Sequence, residues 1–430
     1  MQFRRIGRLM KTAVNSIATL LILLGALLAI PPSAFAASGS KFSEVAVGIN
    51  HSCALTMKGR AYCWGNNDSG QLGDGNYGYD SSSPVAVVGD RRYLHISAGY
   101  DATCAISTAG AAYCWGYNDY GQLGNGTHDE TISGAVDADT PQLVSGEHAF
   151  TTVSVGWNTT CGLTAPGDAY CWGYNDYGQV GNGAFDNTEA GLADADTPQL
   201  VSGGRKFLSV SAGENTTCGV TTREIGYCWG TGNNGELGNG DYSVELAGNG
   251  FDADSAVPVK VSGKQKFVTI ATGGEHSCGL TTVGKVYCWG DNTYGQIGAR
   301  IAGGYVTVPT RVKGSTRYTD IAGGNQSYST CGITATGAAK CWGYNGGSDG
   351  SHDYGVLGAD STEYQVNVPI SVSGALQFTA IDIDDYHACG LTTKHRVYCW
   401  GYSNGTGMGG TGLAENTYKP TVPIALPVFP

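Results

Sequence analysis

The chain has 430 residues, of which 68 are glycine and only 14% are charged. Its 24 basic and 36 acidic side chains give a net charge of −12, and setting aside Met1–Ala36, which holds four of the bases and no acid, makes it −16. A surface of that sign repels phosphate backbones and anionic membranes, which disfavours nucleic-acid binding. So much glycine with so little charge suits short strands and tight turns rather than helices.

Met1–Ala36 reads as a secretory signal peptide. Arg4, Arg5, Arg8 and Lys11 form a basic start, an apolar run spans Ile17 to Ile30, and Ala34-Phe35-Ala36 ends in an A-x-A cleavage pattern. The alternative is an uncleaved membrane anchor. Residues 37–430 contain no linker-like or low-complexity break and read as a single domain.

Within that stretch a cysteine is followed ten residues later by another seven times, and the second always precedes Trp-Gly. The pairs are Cys53 with Cys63, Cys104 with Cys114, Cys161 with Cys171, Cys218 with Cys228, Cys278 with Cys288, Cys331 with Cys341 and Cys389 with Cys399, and they use every cysteine. Fixed self-similarity of this kind decides an architecture before any local reading can. In the first unit the midpoint between the cysteines is Lys58, followed by Gly59, and glycine recurs there as Gly110, Gly167, Gly284 and Gly337. A three-residue hairpin loop wants positive φ at its last position, which glycine adopts without a Cβ clash. Folding there sets Cys53 opposite Cys63, Leu55 opposite Ala61 and Ser52 opposite Trp64. Directly opposed antiparallel residues lie about 4.5–5.5 Å apart at Cα, within reach of a disulfide. Glu224 and His395 stand where the glycine should be, so those turns either tolerate strain of about 1–2 kcal/mol or differ in their loops. Zinc is the competing use of the cysteines, but no C-x-x-C appears and two opposed strand cysteines supply half a tetrahedral site. Paired thiols and leader both point outside a reducing cytosol, to a secreted, periplasmic or cell-surface location.

The next unit shows the full period: Pro84-Val-Ala-Val-Val88, Tyr93-Leu-His-Ile-Ser-Ala-Gly99, Thr103-Cys-Ala-Ile-Ser107 and Ala112-Tyr-Cys-Trp-Gly116. Four short β-rich runs fit a four-stranded blade. The hairpin is apolar on both faces, so both must be covered, and blades packed around an axis achieve this with only short edges exposed. The expected fold is all-β, a seven-bladed β-propeller. The first unit begins at Phe42 without a preceding Pro-x-x-Val strand, and Lys419-Pro-Thr-Val-Pro-Ile-Ala-Leu426 follows the last Cys-Trp-Gly. That tail is expected to pair beside residues 42–48 and close the ring in a shared blade.

Repeats of the form G-x-x-H-S-C-A-L-T…G-x-x-Y-C-W-G-x-N-x-x-G-Q-L-G resemble the regulator-of-chromosome-condensation repeat family over about residues 42–426. The resemblance implies seven-bladed propellers. The strand cysteines depart from its nuclear members and fit secreted, bacterial-type relatives, among which a secreted propeller inhibits β-lactamases. Guanine-nucleotide exchange, known from a nuclear member, is contradicted by the leader and the disulfides. Plant members sense ultraviolet light through clustered tryptophans, which Trp157 alone cannot reproduce.

No catalytic motif appears: there is no G-x-S-x-G, H-E-x-x-H or P-loop, and neither a catalytic residue nor a cofactor is assigned. His51, His276 and His387 each precede a first cysteine by two residues, where Thr159 and Thr216 stand in two other units, and read as framework positions. Asp137-Ala-Asp139, Asp194-Ala-Asp196 and Asp252-Ala-Asp254 could contribute to a calcium site, but calcium needs six or more oxygens and no EF-hand loop is present. The plainer reading is a solvated loop copied with the repeat, and no metal site is assigned.

Numbering the strands of a blade outward from the axis puts the A–B and C–D connections on one end of the ring. The C–D loops are long, running from Tyr117 to Thr140, Tyr174 to Thr197 and Thr231 to Val257, and long loops on a rigid scaffold carry function. Tyr117, Tyr120, Tyr174, Tyr177, Tyr294 and Tyr344 fall on C–D loops, with Trp157 and Tyr386 on A–B loops. Trp and Tyr are favoured interface anchors. Some of these rings are expected to pack between blades. The reading is a monomeric, secreted, non-enzymatic propeller that binds a protein partner through this end, with no nucleic-acid role and no membrane contact beyond the leader. The alternatives are a carbohydrate or cell-envelope binding propeller and a polysaccharide-active enzyme with carboxylates near the axis.

Overall fold

The computed structural model describes residues 41–128, 137–185, 194–243, 253–300, 303–324, 326–346, 355–403 and 406–410. The expected signal peptide lies outside them. The described chain folds as seven antiparallel sheets, each built from strands consecutive in sequence. In the first blade these are β1 (Phe42–Val47), β2 (His51–Thr56), β3 (Ala61–Gly65) and β4 (Ser81–Ala86). Six blades have four strands, and three are described in the seventh: Phe378–Ile383, His387–Thr392 and Val397–Gly401. The result is a β-propeller, with the first strand of each blade innermost.

Burial follows the sequence pattern. The central strands β2 and β3 are buried on both faces, while β4 is largely half-exposed. The expected register holds: Cys53 faces Cys63, Leu55 faces Ala61 and Ser52 faces Trp64. All seven expected disulfides form, each within one blade. They join Cys53 to Cys63, Cys104 to Cys114, Cys161 to Cys171, Cys218 to Cys228, Cys278 to Cys288, Cys331 to Cys341 and Cys389 to Cys399. Their Cα separations of 4.0–4.1 Å are shorter than the spacing expected of generic opposed pairs. Every half-cystine is wholly buried, because the blade faces that carry them pack against neighbouring blades.

The hairpin turns do two jobs. Thr56 N–H donates to Arg60 O and Gly59 N–H to Thr56 O, which defines a three-residue loop with Gly59 at φ +75°. Glu224 and His395 adopt the same conformation, at φ 63° and 60°, so the two exceptional turns keep the loop and accept the strain. The reason lies in the next blade. The carbonyl of this left-handed residue accepts the first N–H of the following inner strand: Tyr93 to Gly59 at 2.8 Å, Phe267 to Glu224 at 3.0 Å and Phe42 to His395 at 3.0 Å. A different loop would turn that carbonyl away.

A second set of latches sits at the other end. The indole N–H of each Cys-Trp-Gly tryptophan donates to a backbone carbonyl in the C–D loop of the preceding blade: Trp115 to Gln71, Trp172 to Gln122, Trp229 to Gln179, Trp289 to Glu236, Trp342 to Gln296 and Trp400 to Val356, at 2.7–3.0 Å. Trp64 completes the circle by donating to Met408 O at 2.8 Å. Glycine is required beneath the indoles of Trp115, Trp172, Trp229, Trp289, Trp342 and Trp400; a Cβ on Gly73 would lie 2.6 Å from Trp115 Nε1.

The ring closes between blades seven and one by face packing. Phe42, Val45, Val47, Ala54, Tyr62 and Trp64 share one buried cluster with Cys389, Leu391, Val397 and Cys399. The tail expected to complete a shared blade, residues 419–426, lies outside the described residues. The first blade holds four strands without it, because Ser81–Ala86, which includes Pro84, pairs with Ala61–Gly65 as an outer strand. The Pro-x-x-Val strand therefore belongs to the blade before it, not the blade after.

Candidate functional site at the loop end

The C–D loops and A–B turns share one end of the ring. Each loop is pinned by a buried asparagine: Asn118 Oδ1 accepts from Leu123 N–H at 2.9 Å while its amide donates to Thr127 O at 2.8 Å, and Asn67 and Asn175 repeat the arrangement. The Asp-Ala-Asp segments brace the same loops. Asp137 accepts from Asn118 N–H, Asp194 from Asn175 N–H and Asp254 from Gly232 N–H, each at 2.9 Å, and Asp80 does the same for Asn67. Asp252 lies outside the described residues. These carboxylates hold backbone, and no cluster of His, Cys, Asp or Glu suited to a metal occurs among the described residues.

The aromatic residues expected at this end form contact groups. Tyr117, Tyr120, Tyr174 and Tyr177 make a chain of edge contacts across the second and third blades, with Tyr120 and Tyr174 rings 5.0 Å apart. Tyr294 meets Tyr344 at 5.0 Å and Tyr328 at 5.2 Å, Trp157 meets Tyr100 at 5.8 Å, and Tyr386 meets Tyr402 at 6.1 Å. Tyr117 and Tyr174 hydroxyls donate to Asp119 and Asp176. All eight expected residues are half-buried, so they act as mutual supports with one face outward. The more exposed rings were not singled out from the sequence. Tyr79 is 75% exposed, Tyr305 53% and Tyr242 47%, with Tyr77, Phe185 and Tyr364 alongside. Periodicity did carry a signal for three of them, since Tyr77, Phe185 and Tyr242 stand five residues after Leu72, Val180 and Leu237 of the repeat. Tyr100 and Tyr402 had a signal: Tyr100 occupies the place of Trp157 in its A–B turn, and Tyr402 follows Cys-Trp-Gly as Tyr117 does.

Carboxylates surround the mouth of the axis. Glu214 and Glu275 lie on the A–B turns of the fourth and fifth blades, Asp385 on that of the seventh and Asp101 on that of the second. Burial pushes Glu214 up to about 7, with further upward pressure from Glu275 and Asp385. Burial likewise raises Asp385 and Asp101 to about 6. Asp384 replaces the glycine found at this turn position in the other six blades. It is wholly buried and accepts from the Gln326 and Asp385 N–H groups through Oδ1, and its carboxyl is held well above the usual range by burial. Among the described residues, Arg300 is the one Lys or Arg on the loops and turns of this end.

Below the mouth the inner strands line an axial cavity of about 340 Å³. His95 places Nδ1 2.6 Å from Glu44 and Nε2 2.8 Å from Val153 O. Glu44 also accepts from Ile96 N–H, Asp382 from Val47 and Ile383 N–H, and Asp320 from Ile321 N–H. The axial carboxylates thus tie inner strands together. His51, His276 and His387 stand further out, buried between blades; their Nε2 atoms contact Thr103, Thr330 and Ser52 hydroxyls at 2.6–2.8 Å.

Residues 58–106, 109–163, 166–220, 227–280 and 283–328 match the regulator of chromosome condensation (RCC1) repeat, and 42–71, 94–122, 150–179, 267–296 and 379–407 match a second form of it. The chain is 31% identical over 266 residues to the ultraviolet-B receptor UVR8 of Arabidopsis thaliana, covering 60% of this chain and 55% of that protein. It is 28% identical over 299 residues to the E3 ubiquitin-protein ligase HERC2 of Homo sapiens, covering 66% of this chain and 6% of that one. With the mitochondrial RCC1 domain-containing protein RUG3 of Arabidopsis thaliana it shares 28% identity over 327 residues, 74% of this chain and 68% of that one. The chain thus spans about half the length of UVR8 and a small fraction of HERC2. Among solved structures, human WBSCR16 superposes with a TM-score of 0.71 at 20% identity, covering 86% of this chain and 94% of that one. Yeast RCC1 (Prp20), crystallised with Kap60 bound, gives 0.68 at 20% identity, covering 90% and 85%. At these identities the structural likeness speaks for the fold alone.

Proposed function

The chain belongs to the regulator of chromosome condensation (RCC1) repeat family, and from that premise we propose that it is an exported, non-enzymatic propeller scaffold whose loop end binds a protein partner. The observation that carries the reading is the set of exposed tyrosines, Tyr79, Tyr242 and Tyr305, on an acidic face whose loops are pinned by buried asparagines. Large rigid aromatics on pre-ordered loops supply contact area at little entropic cost. Family precedent supports it: yeast Prp20 has been studied for its binding to Gsp1p and histones, and crystallised with Kap60 bound. The carboxylates at the axis mouth favour a partner that presents basic side chains. Export is supported by the leader pattern and by seven buried disulfides, which fit an oxidising compartment. A catalytic role gains no support from the axial carboxylates, which are engaged with backbone N–H groups.

The test is affinity capture from the extracellular fluid of the producing cell, with the intact protein and a Trp157→Ala/Tyr79→Ser/Tyr305→Ser variant as baits. A partner retained by the first and lost by the second is expected. Equal capture by both would defeat the assigned face, and binding to a glycan array instead of a protein would move the reading to carbohydrate recognition.

A further inference from the structure

The net charge hides a strong segregation. Every Lys and Arg among the described residues except Arg300 lies in a hairpin turn, in a link between blades, or at a strand end that opens onto the turn end of the ring. Lys58, Lys264, Lys266, Lys313, Arg317 and Lys394 stand exposed there. Outside the axial cavity the acids of this end are Asp90, Glu147, Asp168 and Glu224, and its ion pairs among the described residues are Arg60–Asp90 and Lys206–Asp168. Exposed aliphatic side chains sit among the cations. Leu94 is 67% exposed, Leu208 56% and Val268 49%, all at the second position of inner strands, where the register shifts, and Leu208 stands at the rim of the axial cavity. Met57 and Val283, each 55% exposed, project from hairpin turns.

We propose that the turn end is a docking surface for an anionic lipid bilayer, with Lys and Arg on the headgroup phosphates and the Leu, Val and Met side chains entering the interface. Cations interspersed with aliphatics on one face are the composition of a peripheral membrane surface, whereas a polyanion in water offers nothing to the aliphatic groups. The repulsion expected from the net charge does not reach this face. A six-residue strand spans about 20 Å, more than two Debye lengths at physiological salt, so the acidic loop end is screened from a bilayer under the turn end. Docked this way, the ring points its acidic, aromatic end outward.

The experiment is co-sedimentation of the full chain with phosphatidylcholine vesicles containing either no anionic lipid or about 30% phosphatidylglycerol. Partitioning is expected to rise with the anionic lipid and to fall at least tenfold between about 0.1 and about 0.5 M NaCl, a measurement that needs no variant. The Lys264→Glu/Lys266→Glu/Lys313→Glu variant is expected to bind about a hundredfold more weakly. Leu94→Ser/Leu208→Ser should weaken binding while leaving its salt dependence in place. Partitioning that ignores the anionic lipid would overturn the proposal, since the apolar run Ile17–Ile30 alone would then explain it; so would capture by immobilised heparin without vesicle binding. Trp157→Ala should leave vesicle binding unchanged, which separates this end from the partner-binding face.

Discussion

His387 sits on the second strand of the seventh blade with Nε2 2.6 Å from Ser52 Oγ of the first, and Nδ1 finds no partner. His51 and His276 repeat the arrangement, and the Thr103 hydroxyl that meets His51 is itself committed to Gln71 O, so the imidazole is the donor. Burial lowers His51 and His387 to about 3 and His276 to about 4. The folded state holds these rings neutral while the unfolded chain protonates them near 6.5. Their stabilising contribution is therefore complete above pH 6.5 and is lost as pH falls toward 4 and below. Glu214, raised to about 7, has the opposite sign: its contribution is present below about 4.5 and fades as pH rises through 7. Replacing one histidine isolates its share. His387→Thr, the residue type at Thr159 and Thr216, is expected to lose less stability than the parent between pH 7 and pH 4, by on the order of 2 kcal/mol, in denaturant unfolding at both pH values. Parallel losses in the two proteins would contradict the assignment. The spacing marked these histidines as framework but could not show that they bridge blades, because their partners lie some fifty or more residues away.

At the scale of the hairpin, the turn was legible because every force acting on it is local: cysteine spacing, strand alternation and a glycine that must take positive φ. The glycine rule also located its own exceptions. Glu224 adopts φ 63° and keeps its carbonyl on Phe267 N–H, so the conformation is imposed by the neighbouring blade against side-chain preference. Glu224→Gly is expected to raise stability by about 1 kcal/mol, read as a higher denaturant midpoint with unchanged slope. No gain would mean that the glutamate side chain makes compensating contacts. His395→Gly is a poorer probe, since His395 Nδ1 also lies 3.1 Å from Phe42 O. The outer strand was assigned to the wrong blade for a related reason. Residues 84–88 lie between two hairpins and can pair in sequence terms with either, and only the ladder from Tyr62 and Cys63 to Ala86 and Val85 decides it.

Across the whole molecule, stability depends on a seam that no covalent bond crosses among the described residues. The Trp64 Nε1–H to Met408 O and Phe42 N–H to His395 O latches span it, together with the Ser52–His387 and Val47 N–H to Asp382 contacts, over the cluster shared by blades one and seven. Trp64→Phe leaves a buried carbonyl without its donor and a void beside it, and is expected to cost about 3 kcal/mol in chemical denaturation. The equivalent change at Trp172 should cost about the same if all seven latches are equal; a much larger loss at Trp64 would identify the seam as the weak point of the ring. Sequence alone determined the disulfide-bridged hairpin, its turn geometry and the number of repeats, since each hairpin follows from residues within about a dozen positions of one another. It put the eight half-buried aromatics on loops of one end and passed over the exposed Tyr79, Tyr242 and Tyr305, although Tyr242 shares its repeat position with Tyr77 and Phe185. The separation of charge between the two ends was likewise invisible as composition. Acidic and basic residues alternate along the chain with every strand reversal, and only closing the blades into a ring gathers each sign on its own face.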